Sequence, residues 1–193
     1  MPLKKSHKNK IKRVLFITIT LLIAIGLVIP LAGLFSNQNN NYSGQSDNPV
    51  TQTPAERLAE LEQKAQANPG DVNTLIELAQ AYFYAGNLDQ SIKTYKEVLE
   101  LSPLNSSARY DLATLYYFSN QYDLAVEQLK ELLKNEPNNA DAHYLCGIVL
   151  GTGVKDYPGA ISEMERFIEL NREGADVEKA KQYINEWKNM SGQ

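Results

Sequence analysis

Two periods of apolar positions are superimposed along residues 72–139. The short one is helical, with apolar side chains three and four apart. Leu75, Leu78, Ala79 and Tyr82 share one such stripe, and Leu112, Ala113 and Tyr116 share another. The long one is 34 residues: Leu78, Ala79, Tyr82, Leu88, Pro103 and Asn105 recur as Leu112, Ala113, Tyr116, Tyr122, Pro137 and Asn139. Polar punctuation falls at matching places. Asp71 caps a helix to about Ala85, Gly86 ends it, Asn87-x-x-Gln90 opens the next and Ser102-Pro103 closes that one. Asn105, Asn120 and Pro137 repeat the arrangement. A helix–turn–helix pair cannot cover its apolar face alone, so a copy of itself must do so.

The pattern extends beyond these two units. Residues 140–174 read as a third, with Gly151-Thr152-Gly153-Val154-Lys155-Asp156 forming a glycine-rich turn one residue longer than its equivalents. Its second helix runs from about Pro158 to Asn171, and Gly174 breaks it. Before the array, Thr53-Pro54-Ala55-Glu56 is a capping box with proline at the first helical position, opening a half-repeat over 54–71. After it, residues 175–190 place Val177, Ala180, Tyr183, Ile184 and Trp187 at helical spacing, a capping helix for the far end.

These positions resemble the tetratricopeptide repeat family, whose units begin with a large residue, then Leu-Gly and Tyr, then Ala, an aromatic four later, and Pro. Leu75, Leu78-Ala79, Tyr82, Ser91, Tyr95 and Pro103 supply the first unit (72–105). Arg109, Leu112-Ala113, Tyr116, Ala125, Leu129 and Pro137 supply the second (106–139). His143, Cys146-Gly147, Leu150, Ala160 and Met164 supply the third, without the closing proline. The small residues Ala79, Ala113, Gly147, Ser91, Ala125 and Ala160 sit where two helices would cross closely. The resemblance covers about residues 54–190 and implies an all-α, right-handed solenoid.

The N-terminal quarter is a different kind of sequence. Val14–Phe35 is 22 residues without a charge, about 30 Å of helix and so the thickness of a bilayer core. Lys4, Lys5, Lys8, Lys10, Lys12 and Arg13 precede it, and no basic residue follows until Arg57. The positive-inside rule puts the tail, 1–13, in the cytoplasm and everything after the span outside. The competing reading, a cleaved signal peptide, expects an apolar core of about 7–15 residues and small residues at the exit; Leu34 and Phe35 are large. Residues 36–53 are rich in Asn, Gln, Ser, Gly and Pro, a low-complexity linker that cannot bury enough apolar surface to order itself.

Charge follows the same division. The chain of 193 residues carries a formal −4, but six of its 19 basic residues lie before position 14, leaving 13 basic against 23 acidic. An acidic repeat domain argues against nucleic acid as partner, since a phosphate backbone requires a cationic footprint.

The residues offer little for catalysis. Cys146 is the only cysteine and falls on the buried face; His143 takes a large-residue packing position; His7 lies in the basic tail. No His/Cys/carboxylate cluster has metal spacing, and no nucleophile elbow or phosphate-cradling loop is present. The expectation is therefore no enzyme and no cofactor.

What remains is a surface. In the family the chain resembles, the first helix of each unit lines a concave groove. The corresponding positions are Asn73, Ile76, Gln80, Phe83 and Tyr84, then Ser107, Tyr110, Thr114, Tyr117 and Phe118, then Asp141, Tyr144, Ile148 and Thr152. Tyr and Phe are frequent there, as on recognition surfaces, though packing between neighbouring helices would also use Phe83, Tyr117 and Phe118. Family members that clamp a chaperone's C-terminal carboxylate carry Lys, Arg and Asn on these positions. Here Glu77 and Asp111 lie beside the face instead. The expected partner is a protein or peptide segment, apolar or weakly basic and extended, or an amphipathic helix. Self-association of the same face into a homo-oligomer, and an accessory role in a membrane biogenesis system such as cytochrome c maturation, stay open as alternatives.

Overall fold

The computed structural model describes residues 52–192. The basic tail, the uncharged span 14–35 and nearly all of the linker lie outside the described residues. Among the described residues no helix is long and apolar enough to cross a membrane.

Among the described residues eight α-helices follow one another: α1 (Pro54–Ala67), α2 (Val72–Tyr84), α3 (Leu88–Leu101), α4 (Ser106–Phe118), α5 (Tyr122–Asn135), α6 (Ala140–Ile148), α7 (Tyr157–Asn171) and α8 (Ala175–Ser191). All but α5 and α8 start where a side chain satisfies an orphan amide. Thr53 and Glu56 close a reciprocal capping box on α1. Asn105 Oδ1 accepts from the Ala108 amide at 2.9 Å, and Asn139 Oδ1 does the same for Ala142 at 3.0 Å. The 34-residue recurrence of asparagine is thus a recurrence of helix starts.

Helices pack in order, α2 on α3, α4 on α5, α6 on α7, each pair resting on the next, so that contacts stay local along the array. The crossings are made by the small residues. Ala79, Ser91, Ala113, Ala125 and Ala160 have no exposed surface. At the first crossing the Ser91 hydroxyl donates to the Ala79 carbonyl at 2.7 Å, so the one buried polar group there is satisfied. At the third crossing the partner is larger: a Cβ on Gly147 would lie 3.0 Å from the Met164 side chain and 3.2 Å from the Ala160 carbonyl. Around these contacts Tyr95, Val98, Leu112, Leu129, Leu132, Met164 and Phe167 form one continuous core. Each such side chain contributes about 1.5–3 kcal/mol on burial.

The third unit departs from the sequence expectation. The glycine-rich stretch is not a turn. Val149–Val154 continues α6 as a π-helix, and the chain reverses only at Lys155, which takes a left-handed φ of 68°. Gly86 (φ 76°) and Asn120 (φ 59°) hold the same place in the first two units. The extra residue is absorbed inside the helix as a wider turn instead of lengthening the loop. The Asp156 amide accordingly reaches back to the Leu150 carbonyl, whereas Asn87 and Gln121 reach Tyr82 and Tyr116. The glycines are required by neighbours distant in sequence. A Cβ at Gly151 would fall 2.3 Å from the Trp187 ring, and one at Gly153 would fall 2.5 Å from the Tyr122 ring.

The two ends are covered unequally. α8 buries Val177, Ala180, Ile184 and Trp187, and Trp187 stacks on Tyr183 with ring centroids 5.2 Å apart. α1 buries only Leu61; the Tyr82 hydroxyl donates to Glu62 at 2.8 Å, and an exposed Arg57–Glu77 pair adds little.

Gly151→Ala is expected to destabilise the full-length chain by about 3 kcal/mol through overpacking against Trp187. Gly70→Ala, where a Cβ meets nothing within 4 Å, should stay within about 0.5 kcal/mol of the parent. Urea unfolding followed by Trp187 fluorescence checks both; equal effects would contradict the close approach.

Candidate functional site

α2, α4 and α6 expose one face each between the packed positions, and the expected residues divide there into three groups. Ile76, Phe83, Tyr110, Tyr117, Tyr144 and Ile148 are half-buried and rest on the core with part of each side chain open. Tyr84 and Phe118 are largely open, at 84% and 55% exposure. Asn73, Gln80, Ser107 and Asp141 are exposed polar positions, and Thr114 and Thr152 turn their hydroxyls back to the Tyr110 and Ile148 carbonyls.

The aromatics form a connected row across the ends of the first helices. Phe83 meets Tyr84 at 5.7 Å between centroids and stacks on Phe118 of the next unit at 6.1 Å. Phe118 touches Tyr117, and Tyr117 touches Tyr122. The Tyr117 hydroxyl lies 3.2 Å from Thr152 Oγ1, carrying the row into the π-helical segment. Tyr144 is tied differently: its ring packs on Phe167 at 4.9 Å. Asn73 and Asp141, near the starts of α2 and α6, take no part in the row.

A cleft of about 200 Å³ opens between the first two units, lined by Gln80, Phe83, Tyr84, Tyr95, Asp111, Thr114 and Leu115. Four of these were expected from sequence. Tyr95 looked like a packing residue and Asp111 a neighbour of the face; their meeting was not foreseen. The Tyr95 hydroxyl donates to Asp111 Oδ2 at 2.8 Å. Burial, followed by that bond to the Asp111 carboxylate, holds the Tyr95 phenol well above its usual range. Tyr110 is raised by burial and then by the charges of Asp141 and Asp111.

The electrostatic character of the face is negative. Across α2, α4, α6 and the π-helical segment the charged residues other than histidine are Glu77, Asp111, Asp141 and Arg109. Arg109 is occupied elsewhere, donating to Gln128 at 2.9 Å and to the Pro103 carbonyl at 2.7 Å.

The remaining reactive side chains are set into the packing. His143 spans from Glu163 (2.6 Å) to the Pro137 carbonyl (3.1 Å), linking α6 to α7 and to the preceding turn. Burial pushes the Cys146 thiol up to about 12, ahead of the Glu163 charge, so it stays protonated at neutral pH. Among the described residues no group of three or more His, Cys, Asp or Glu could hold a metal ion.

Comparison with known proteins agrees with this architecture. Residues 83–147 match the family model described as tetratricopeptide repeat. Comparison with curated proteins finds no match. Among solved structures, the fold is similar to the crystal structure of MamA, at 22% identity, covering 72% of this chain and 79% of that one with a TM-score of 0.66. It is also similar to MamA 41-end from Desulfovibrio magneticus RS-1, at 22% identity, 72% and 85% coverage and a TM-score of 0.59. A third similar structure is the first tetratricopeptide domain of Spaghetti (RPAP3) bound to the HSP90 peptide SRMEEVD, at 17% identity, 63% and 94% coverage and a TM-score of 0.57. The 34-residue period, the stacked helical pairs with small residues at their crossings and the match over residues 83–147 together place tetratricopeptide repeats in this chain.

Proposed function

We propose that this chain is a membrane-anchored, extracytoplasmic scaffold that captures a segment of another protein on the face formed by its first helices. One observation carries the reading: the aromatic row running from Tyr84 and Phe83 through Phe118 and Tyr117, open where packing alone would close it. Rigid aromatics with polar tips offer contact area at low conformational cost, the usual make-up of binding hot spots. The related fold of RPAP3 holds a peptide, which makes segment capture a use this architecture supports. An acidic peptide such as SRMEEVD suits this face poorly, because Asp111 and Asp141 stand where cations would be needed and Arg109 is already engaged. An apolar or basic segment fits better.

Anchoring rests on the sequence: the uncharged span 14–35, the basic residues before it and the acidic repeats after it. A single span of this kind would hold the repeats on the far side of a bacterial membrane, with the polar stretch 36–53 allowing roughly 20–25 Å of reach.

Replacing Tyr110 and Tyr144 together by Ala in the full-length protein should reduce co-purification of the crosslinked partner at least about tenfold, as loss of two hot-spot aromatics predicts. Tyr84→Ala should also reduce it, with circular dichroism unchanged because that side chain lies on the surface. Undiminished capture would move the site off this face. Should the only protein recovered be a second, differently tagged copy of the chain, the face would be a self-association surface.

External protease added to spheroplasts is expected to digest the repeats while sparing an epitope at residues 1–13. Protection of the repeats until lysis would rule out the extracytoplasmic placement.

A further inference from the structure

The cleft between the first two repeats carries a narrower assignment, which rests on reading this face as a segment-binding surface. Its walls are aromatic on one side, with Phe83, Tyr84 and Tyr95, and bear a carboxylate on the other, Asp111. At about 200 Å³ it is below the roughly 300–1,000 Å³ of pockets that enclose whole small molecules; its size suits one side chain. Asp111 is held in place through Oδ2 by the buried Tyr95 hydroxyl. Among the described residues, Oδ1 accepts no hydrogen bond from protein, and no lysine or arginine pairs with the carboxylate. Gln80 adds an amide at the rim.

A carboxylate fixed at the edge of an aromatic wall is complementary to a cation. The ring faces attract positive charge through their quadrupoles, and the oriented oxygen accepts a charge-assisted hydrogen bond. Local charge points the same way: Glu77 is paired with Arg57, but among the described residues Asp111 and Asp141 have no basic partner, and the one arginine of the first helices is tied to Gln128 and Pro103. An apolar side chain could fill the space but would leave the Asp111 charge beside it without a counter-ion, at the cost of its hydration. We propose that this cleft is the receptor for a single basic side chain, arginine above all, on the captured segment. A guanidinium is flat enough to lie against Phe83 or Tyr84 while directing two N–H groups at one carboxylate, which an ammonium does less well.

The test uses the full-length chain in detergent micelles, labelled with 4-fluorophenylalanine. Phe83 lines the cleft, and buried Phe167 serves as internal reference; Phe83→Leu assigns the Phe83 resonance. Titration with n-butylguanidinium should shift the Phe83 signal saturably and leave Phe167 unmoved. The uncharged isostere n-butylurea should produce no saturable shift. Asp111→Asn should weaken guanidinium binding about tenfold, the loss expected for one charge-assisted contact. Tyr95→Phe, which frees the carboxylate from its anchor, should weaken it by a smaller factor, with Trp187 fluorescence reporting an intact fold in both variants. Equal response to the two compounds, or unchanged binding in Asp111→Asn, overturns the assignment. If that happens while Tyr110→Ala/Tyr144→Ala still abolishes partner capture, the basic side chain is wrong and the segment-binding face stands. If capture is also unaffected, both readings fall.

Discussion

The structure depends on how closely two helices can approach within each repeat. Ala79 against Ser91, Ala113 against Ala125 and Gly147 against Ala160 are buried at the crossings and let backbones meet. Larger side chains there would separate each pair, and a separated pair could not present a flat flank to its neighbour. The stacking that buries Leu112, Leu129 and Met164 follows from that approach. So does the demand for covered ends, which α8 meets with Trp187 and α1 meets more lightly with Leu61.

The same geometry decides what is left for function. Each first helix uses its small and large packing positions inward and is free on the remaining face. Evenly spaced aromatics there come into register across repeats, so that Phe83 stacks on Phe118 from a neighbouring unit. These side chains are packed on one side and open on the other. Half-burial holds their rotamers and lowers the entropy lost on contact with a partner. The negative balance of the face, with its arginine engaged in the scaffold, would select among the partners proposed for it without changing the fold.

Much of this was readable from the chain because it depends on local spacing. The period of Leu78 and Leu112, the caps at Asn105 and Asn139 and the small residues at the crossings all act within or between adjacent helices. The glycines of the third unit were misread for the opposite reason. A one-residue insertion can lengthen a loop or widen a helix, and the choice was made by the rings of Tyr122 and Trp187, some thirty residues away on either side. The cleft shows the same limit. Its aromatic lining followed from helical positions, but the contact between Tyr95 and Asp111 joins the second helix of one unit to the first helix of the next. Only the turn angle between units brings them together.

The most direct test of the account is photocrosslinking from single benzoylphenylalanine substitutions in the full-length chain. Placed at Gln80 or Asn73, on the exposed face of α2, the probe should yield one shared partner adduct; placed at Lys96 or Lys130, exposed on α3 and α5, it should yield none. An adduct formed only from Lys96 or Lys130, or equally from all four positions, would contradict the claim that the first-helix face binds the partner.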